Sequence, residues 1–223
     1  MRIVQYYPVI ALQDAVYDGP TTVGELKREG DFGLGTYNGL DGEMIVIDGI
    51  FYQVKGDGAV SIATDAQRSP WAMLTFFKPD CELTAPPNLD FQGLQNFIDQ
   101  NLASRNHYFA FRIEGKARTL KTRALPRQTK PYPPLSHITP TQPTFEFSNV
   151  AFVGVGFRAP QYIGAIDPVG YHLHVLTKNR DGGGHVLEMN LESARICVGP
   201  IRDLILRMPR DEEFDDADLA KVD

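Results

Sequence analysis

The chain has 223 residues, 43% hydrophobic and 22% charged, a composition suited to one folded domain or two small ones with a core that needs no disulfide or metal staple. A net charge of −6 without a basic patch argues against a nucleic-acid partner. No apolar run approaches the roughly 20 residues of a membrane-spanning helix, so no membrane partner is expected either.

The first segment, "MRIVQYYPVIALQDAVYDG", is broken by Gln5, Pro8, Gln13 and Asp14 and does not read as a secretory signal. A cytoplasmic protein is expected, with Cys81 and Cys197 as two buried, reduced thiols. "TTVGELKREG" predicts a short helix with Thr21 or Thr22 as N-cap and Gly30 past its end. The glycine-rich "GDFGLGTYNGLDGE" lacks both the Lys-Ser/Thr and the G-x-G-x-x-G order of phosphate loops. It reads instead as a tight backbone path that sets Thr36 and Glu43 in defined places, with Asp41-Gly42 as a turn and Glu43 opening a strand.

"EMIVIDGIFYQV" predicts a hairpin turning at Asp48-Gly49, and Val60 to Ala63 and Ala72 to Phe77 are further strands. Trp71, Phe76 and Phe77 read as core. "NLDFQGLQNFIDQNLASRN" is the best helix, with Phe91, Leu94, Phe97, Ile98 and Leu102 near a 3.6-residue period behind an Asn88 or Asp90 cap. "HYFAFRIEGKARTLKTRAL" predicts two strands turning at Glu114-Gly115, and strands resume at Phe145 to Phe147 and at "VAFVGVGFRA". The expected fold is α+β, mainly antiparallel or mixed β-sheets with a few helices. Residues 1–125 form an N-terminal mixed-sheet region with a helix near 88–104. Residues 126–143 are a proline-rich connector, and 144–223 form a C-terminal β region. The connector either links two domains or lies across one compact domain. The acidic "PRDEEFDDADLAKVD" reads as a solvated tail, mobile at its end, without the spacing of a calcium loop.

Three of five histidines fall within "GYHLHVLTKNRDGGGHVLE". On a strand, His172 and His174 share one face, about 6.5 to 7 Å apart along the chain. "NRDGGG" supplies a return, and His185 opens the second strand. If all three rings share a face, they offer three imidazoles and an open position, the ligand set of a catalytic zinc site. Iron, copper and nickel also accept imidazole. Glu188 points to the opposite face, and His107 and His137 read as structural or exposed. The spacing after H-x-H fits neither a cupin nor a metallo-β-lactamase.

Taken together, "GDFGLGTYNGLDGE", "SRNHYFAFRIEGKARTLKTRALPRQTKPYPPL" and "GYHLHVLTKNRDGGGHV" resemble the acetolactate decarboxylase family, in order and over nearly the whole chain. The resemblance implies that His172, His174 and His185 are zinc ligands and that Glu43 and Arg123 are catalytic residues. It also implies that Thr36 is a substrate-pocket residue and that the protein is a homodimer. Family members carry a C-terminal glutamate that folds back into the pocket. Here the sequence ends at Asp223, which leaves open a segment beyond it, Asp218 or Asp223 as stand-in, or no such carboxylate.

The implied reaction is zinc-dependent decarboxylation of 2-acetolactate to acetoin and carbon dioxide, through an enediolate whose growing charge a Lewis acid stabilises. Two alternatives use the same three histidines: a metal-dependent isomerase or hydrolase, and a non-catalytic dimer that binds a metal or small ligand.

Overall fold

A computed structural model describes residues 1–219. Asp223 and the end of the tail expected to be mobile lie outside the described residues. In chain order the strands are β1 (Arg2–Tyr6), β2 (Thr21–Thr22), β3 (Phe32–Thr36), β4 (Glu43–Ile47), β5 (Ile50–Val54), β6 (Val60–Ile62) and β7 (Arg68–Ser69). They continue with β8 (Ala72–Thr75), β9 (Cys81–Ala85), β10 (Tyr108–Arg123), β11 (Thr144–Ala159), β12 (Gly170–Thr177), β13 (Gly183–Ile201) and β14 (Asp203–Arg207). The helices are α1 (Val9–Gln13), α2 (Val23–Leu26), α3 (Phe91–Asn101), α4 (Leu135–Ile138) and α5 (Glu212–Asp216). Strands with few, mostly short helices make an α+β fold. Among the described residues no helix is long and apolar enough to cross a membrane.

Two sheets carry the architecture. The first has seven strands in the order β14-β1-β8-β3-β4-β5-β6, antiparallel throughout except for the parallel β1–β14 pair. In the second, β10 pairs with β11, β11 with β12, β12 with β13, and β13 again with β10, so four antiparallel strands close on themselves while β9 adds to the outside of β13. Closure removes the open edges that strands of this length would otherwise present.

Alternation along these strands sorts their side chains into two cores. Leu173, Val175, Val186 and Met189 join Phe111, Ile113 and Leu94 and Ile98 of α3 in a core belonging to the second sheet. Leu176, Val155 and Phe157 face the other way and pack against Ile3, Phe32, Leu34 and Ile45 of the first sheet. The histidines of β12 share that second face, so they point toward the seam between the sheets.

Local signals behave as the sequence predicts in several places. Thr22 caps α2 in a reciprocal capping box with Glu25, and Asp90 caps α3 by accepting from the Gly93 amide at 2.6 Å. Ile47 pairs directly with Ile50, leaving Asp48 and Gly49 as a two-residue turn with φ of 53° and 77°.

Four expectations need correction. The chain does not turn at Glu114-Gly115, because β10 runs straight through both. Gly115 is needed there because a Cβ would lie 2.3 Å from the Ser193 carbonyl of the neighbouring strand, beside a register shift at Lys116/Ala117. The segments at Phe145 and Val150 are one strand, β11. Phe76 is 54% exposed rather than core. Cys81 is exposed and Cys197 half-buried, both as free thiols, since β9 lies at an edge of its sheet.

Candidate metal centre

The β12–β13 register places His174 directly opposite His185, and directly paired residues of antiparallel strands share a face. His172, two residues before His174, joins them. Gly184 lets β10 approach: its φ is 126° and a Cβ there would sit 2.4 Å from the Arg123 carbonyl. Arg123, the last residue of β10, pairs with His185 and so reaches the same face.

One potential ligand atom from each histidine lies within 4.8 Å of the other two. The ring centroids of His172 stand 4.9 Å from those of both His174 and His185, and His174 and His185 are 5.3 Å apart. His174 is 1% exposed, and the other two rings are partly buried. Burial pushes all three below the usual imidazole pKa. For His172 and His185 the neighbouring imidazoles and the Arg123 guanidinium push further down, whereas at His174 the Glu43 carboxylate works the other way. These shifts favour the neutral imidazole, the form that keeps a lone pair to offer.

The outer contacts define those lone pairs. His174 Nδ1 lies 2.9 Å from the Met44 carbonyl. A carbonyl only accepts, so Nδ1 carries the proton and Nε2 the lone pair. That Nε2 stands 3.1 Å from His172 Nε2 and 3.4 Å from Glu43 Oε2. A tetrahedral ion with Zn–N bonds near 2.0–2.1 Å holds its nitrogens roughly 3.3 Å apart, close to the 3.1 Å between His172 and His174. Nδ1 of both His172 and His185 is also buried without a hydrogen-bond partner among the described residues. Converging lone pairs beside a carboxylate, with neutral imidazole donors, fit a borderline divalent cation such as Zn²⁺.

The opposite wall belongs to the first sheet. Glu43, at the start of β4, is 4% exposed, and Arg123 Nη1 donates to its Oε1 at 2.9 Å. This guanidinium–carboxylate pair fixes the Glu43 side chain across the sheet seam. Thr36 sits opposite Glu43 in the β3–β4 ladder, and its hydroxyl donates to the Gly42 carbonyl at 2.7 Å. It thus ties down the residue before Glu43.

The structure brings together the three histidines, Glu43 and Arg123, with Thr36 one contact behind. Glu188 is exposed and pairs with Lys121 at 3.4 Å, away from the trio. The described part of the tail forms α5, whose N-cap Asp211 accepts from the Tyr7 hydroxyl and whose Glu213 pairs with Lys130. Sequence reasoning missed the Met44 carbonyl, which leaves no trace in residue type. It placed Trp71 in the core, where the side chain is indeed buried, but gave no sign that the indole stacks on the His172 ring. The rarity of the chain's single tryptophan was a signal of sorts, yet nothing local connects it to a histidine 101 positions on.

The alpha-acetolactate decarboxylase family model matches residues 3–221. An alpha-acetolactate decarboxylase of Methylococcus capsulatus is 39% identical over 220 residues, covering 99% of this chain and 85% of that protein. One from Klebsiella aerogenes is 42% identical over 209 residues, covering 94% of this chain and 80% of that protein. The crystal structure of the enzyme from Bacillus subtilis strain 168 superposes with a TM-score of 0.96 at 37% identity, covering 98% of this chain and 94% of that one. The chain belongs to the alpha-acetolactate decarboxylase family.

Proposed function

We propose that this protein decarboxylates 2-acetolactate to acetoin and carbon dioxide at a Zn²⁺ held by His172, His174 and His185. The reading rests above all on one observation: one potential ligand atom from each of three imidazoles, all within 4.8 Å of one another, beside a Glu43–Arg123 pair at 2.9 Å. When bound, the cation supplies Lewis acidity to the substrate oxygen that gains charge as carbon dioxide departs.

The chain's own groups supply the rest. When the bond to the carboxylate breaks, its electron pair passes into the adjacent ketone as an enediolate, and a proton must then return to carbon. Glu43 holds the substrate hydroxyl and relays that proton. It is well placed to do so because Arg123 and the tied Gly42 turn leave it little freedom. Arg123 faces the enediolate oxygens rather than the departing carboxylate. A clamp on a charge that disappears would favour the ground state over the transition state. Thr36 positions Glu43 through Gly42. Burial of Glu43 and His174 strengthens these electrostatic contacts.

The resemblance further leads us to propose a cytoplasmic homodimer, and light scattering on a sizing column tests the dimer. The decisive experiment for the reaction is acetoin release from racemic 2-acetolactate by zinc-loaded and chelator-stripped protein. The reading requires release that chelation abolishes and zinc restores. Full zinc loading without release points instead to a binding protein.

A further inference from the structure

Trp71 lies in the link between β7 and β8, just before the first-sheet strand β8, 3% exposed, with its indole centroid 5.6 Å from that of the His172 ring at an interplanar angle of 20°. Its backbone is fixed on both sides. The Trp71 carbonyl accepts from the Thr36 amide at 3.1 Å and from the Ser69 hydroxyl at 2.9 Å, and the Trp71 amide donates back to that hydroxyl at 3.2 Å. The Thr36 carbonyl, 2.8 Å from the same hydroxyl, shares its single proton with the Trp71 carbonyl. The same Thr36 holds Gly42, next to Glu43. A single rigid piece of the first sheet thereby presents both Glu43 and a flat aromatic surface to the histidine trio.

Two of the three rings, His172 and His185, have Nδ1 buried without a hydrogen-bond partner among the described residues, and His172 is the one that the indole faces. His174 is held by the Met44 carbonyl, whereas His172 Nδ1 has no hydrogen-bond partner among the described residues. A ligating imidazole usually has its other nitrogen fixed by a carbonyl or carboxylate. Here a stacked ring does the work that a hydrogen bond does elsewhere. The Trp71 Nε1–H is likewise buried without a partner among the described residues, so packing, not a polar contact, sets the indole.

Resting on the metal-site reading, we propose that Trp71 is a positioning residue for this centre. Its indole braces the His172 ring in its ligating orientation, and zinc affinity therefore depends on an aromatic plane at position 71.

The test is a Zn²⁺ titration against a chromophoric competing chelator, on wild type, Trp71→Phe and Trp71→Leu, with thermal melting as a control for folding. Trp71→Phe keeps a plane against His172 and is expected to bind within about threefold of wild type. Trp71→Leu is expected to lose roughly 10- to 100-fold in affinity, the range seen when an outer partner of a ligand is removed. Equal affinity for folded Trp71→Leu and wild type overturns the proposal, as does an equal loss in both variants. Should Trp71→Leu fail to fold, wild type alone still decides. Trp71 is the only tryptophan, so its emission should change with Zn²⁺ and saturate at one equivalent. Zinc bound without any change in emission overturns the brace. Failure of wild type to bind zinc at all would reject the metal centre itself, a different result.

Discussion

Buried titratable groups lie between the two sheets at the histidine trio and again around Asp167, and of these two only the first has the makings of a site. At the histidine trio, His172, His174, a carboxylate and a guanidinium converge within hydrogen-bonding range, with a ligand atom of His185 within 4.8 Å of those of the other two rings. At the other junction, Gln5 of β1 donates to the Tyr7 and Ile166 carbonyls, and Tyr108 of β10 donates to Asp167 Oδ2 at 3.1 Å. Asp167 is 1% exposed, and burial pushes its carboxyl up to about 8 although the Tyr108 hydrogen bond opposes this. Both places perturb ionisation by burial, so perturbation alone does not mark function. The difference lies in what converges. Three ring nitrogens and a carboxylate oxygen near one point call for a cation, whereas a lone buried acid satisfies itself by keeping its proton.

The sharpest way to break this contrast is His174→Ala. Two ligands remain, and the Met44 carbonyl loses its donor. The loss of zinc affinity should exceed the roughly 100-fold that marks the upper range for outer partners, with acetoin release falling by a similar or greater factor. Metal content after dialysis reads the first, and a coupled assay the second. Retained zinc would mean the trio is not the centre.

Glu43→Gln comes next. It keeps the shape and a partner for Arg123 but removes the proton relay. A fall in kcat of roughly 10²- to 10⁴-fold is expected, read at saturating zinc because the carboxylate also faces the ligand nitrogens. Arg123→Lys sharpens the division of labour, because a lysine cannot reproduce the guanidinium fork. The expected loss is in kcat. A change confined to KM would return Arg123 to a ground-state clamp.

The histidine face was largely legible in the sequence and the opposing wall was not, for a physical reason. His172, His174 and His185 lie on one hairpin, where two-residue periodicity and cross-strand pairing fix direction over a few residues. Glu43 and Arg123 are 80 positions apart and meet only through packing of the two sheets. The glycine-rich loop marks Glu43 as opening a strand, but only the family likeness joins it to Arg123 in one site. The Trp71–His172 stack and the Met44 carbonyl had neither aid. The misread turn at Glu114-Gly115 has a related origin. Glycine serves turns and close backbone approach alike, and only the neighbouring strand, supplied by residues near Ser193, reveals which is meant.

At the second junction, Asp167→Asn provides the matching test on the acid that is not part of the site. The folded protein keeps the Asp167 proton up to a pH of about 8, whereas an unfolded chain releases it near 3.8. Between those values the folded state binds more protons, so stability falls as pH rises through the window and the loss is complete above it. Asparagine removes that slope. Each pH step of one between the two pKa values is worth about 1.4 kcal/mol. Urea unfolding should therefore find the variant more stable than wild type by a few kcal/mol at a pH of about 8.5, with little difference near pH 4. A parallel pH dependence in both proteins would show that Asp167 ionises freely in the fold.

The smallest expected effect separates positioning from chemistry within the site. Thr36→Val keeps the volume but removes the hydroxyl that holds the Gly42 carbonyl at 2.7 Å. A buried carbonyl left without that donor costs about 1–3 kcal/mol of stability, a fall in Tm of several degrees for a chain of this size. Zinc affinity should be unchanged, because none of the three ligands touches Thr36. A small drop in kcat, roughly threefold to tenfold, would follow from a looser Glu43, since tenfold corresponds to about 1.4 kcal/mol in the barrier. An effect confined to KM would instead put the Thr36 hydroxyl on the substrate. Thr36 would then be a direct contact where the present geometry gives it only the bracing of Glu43.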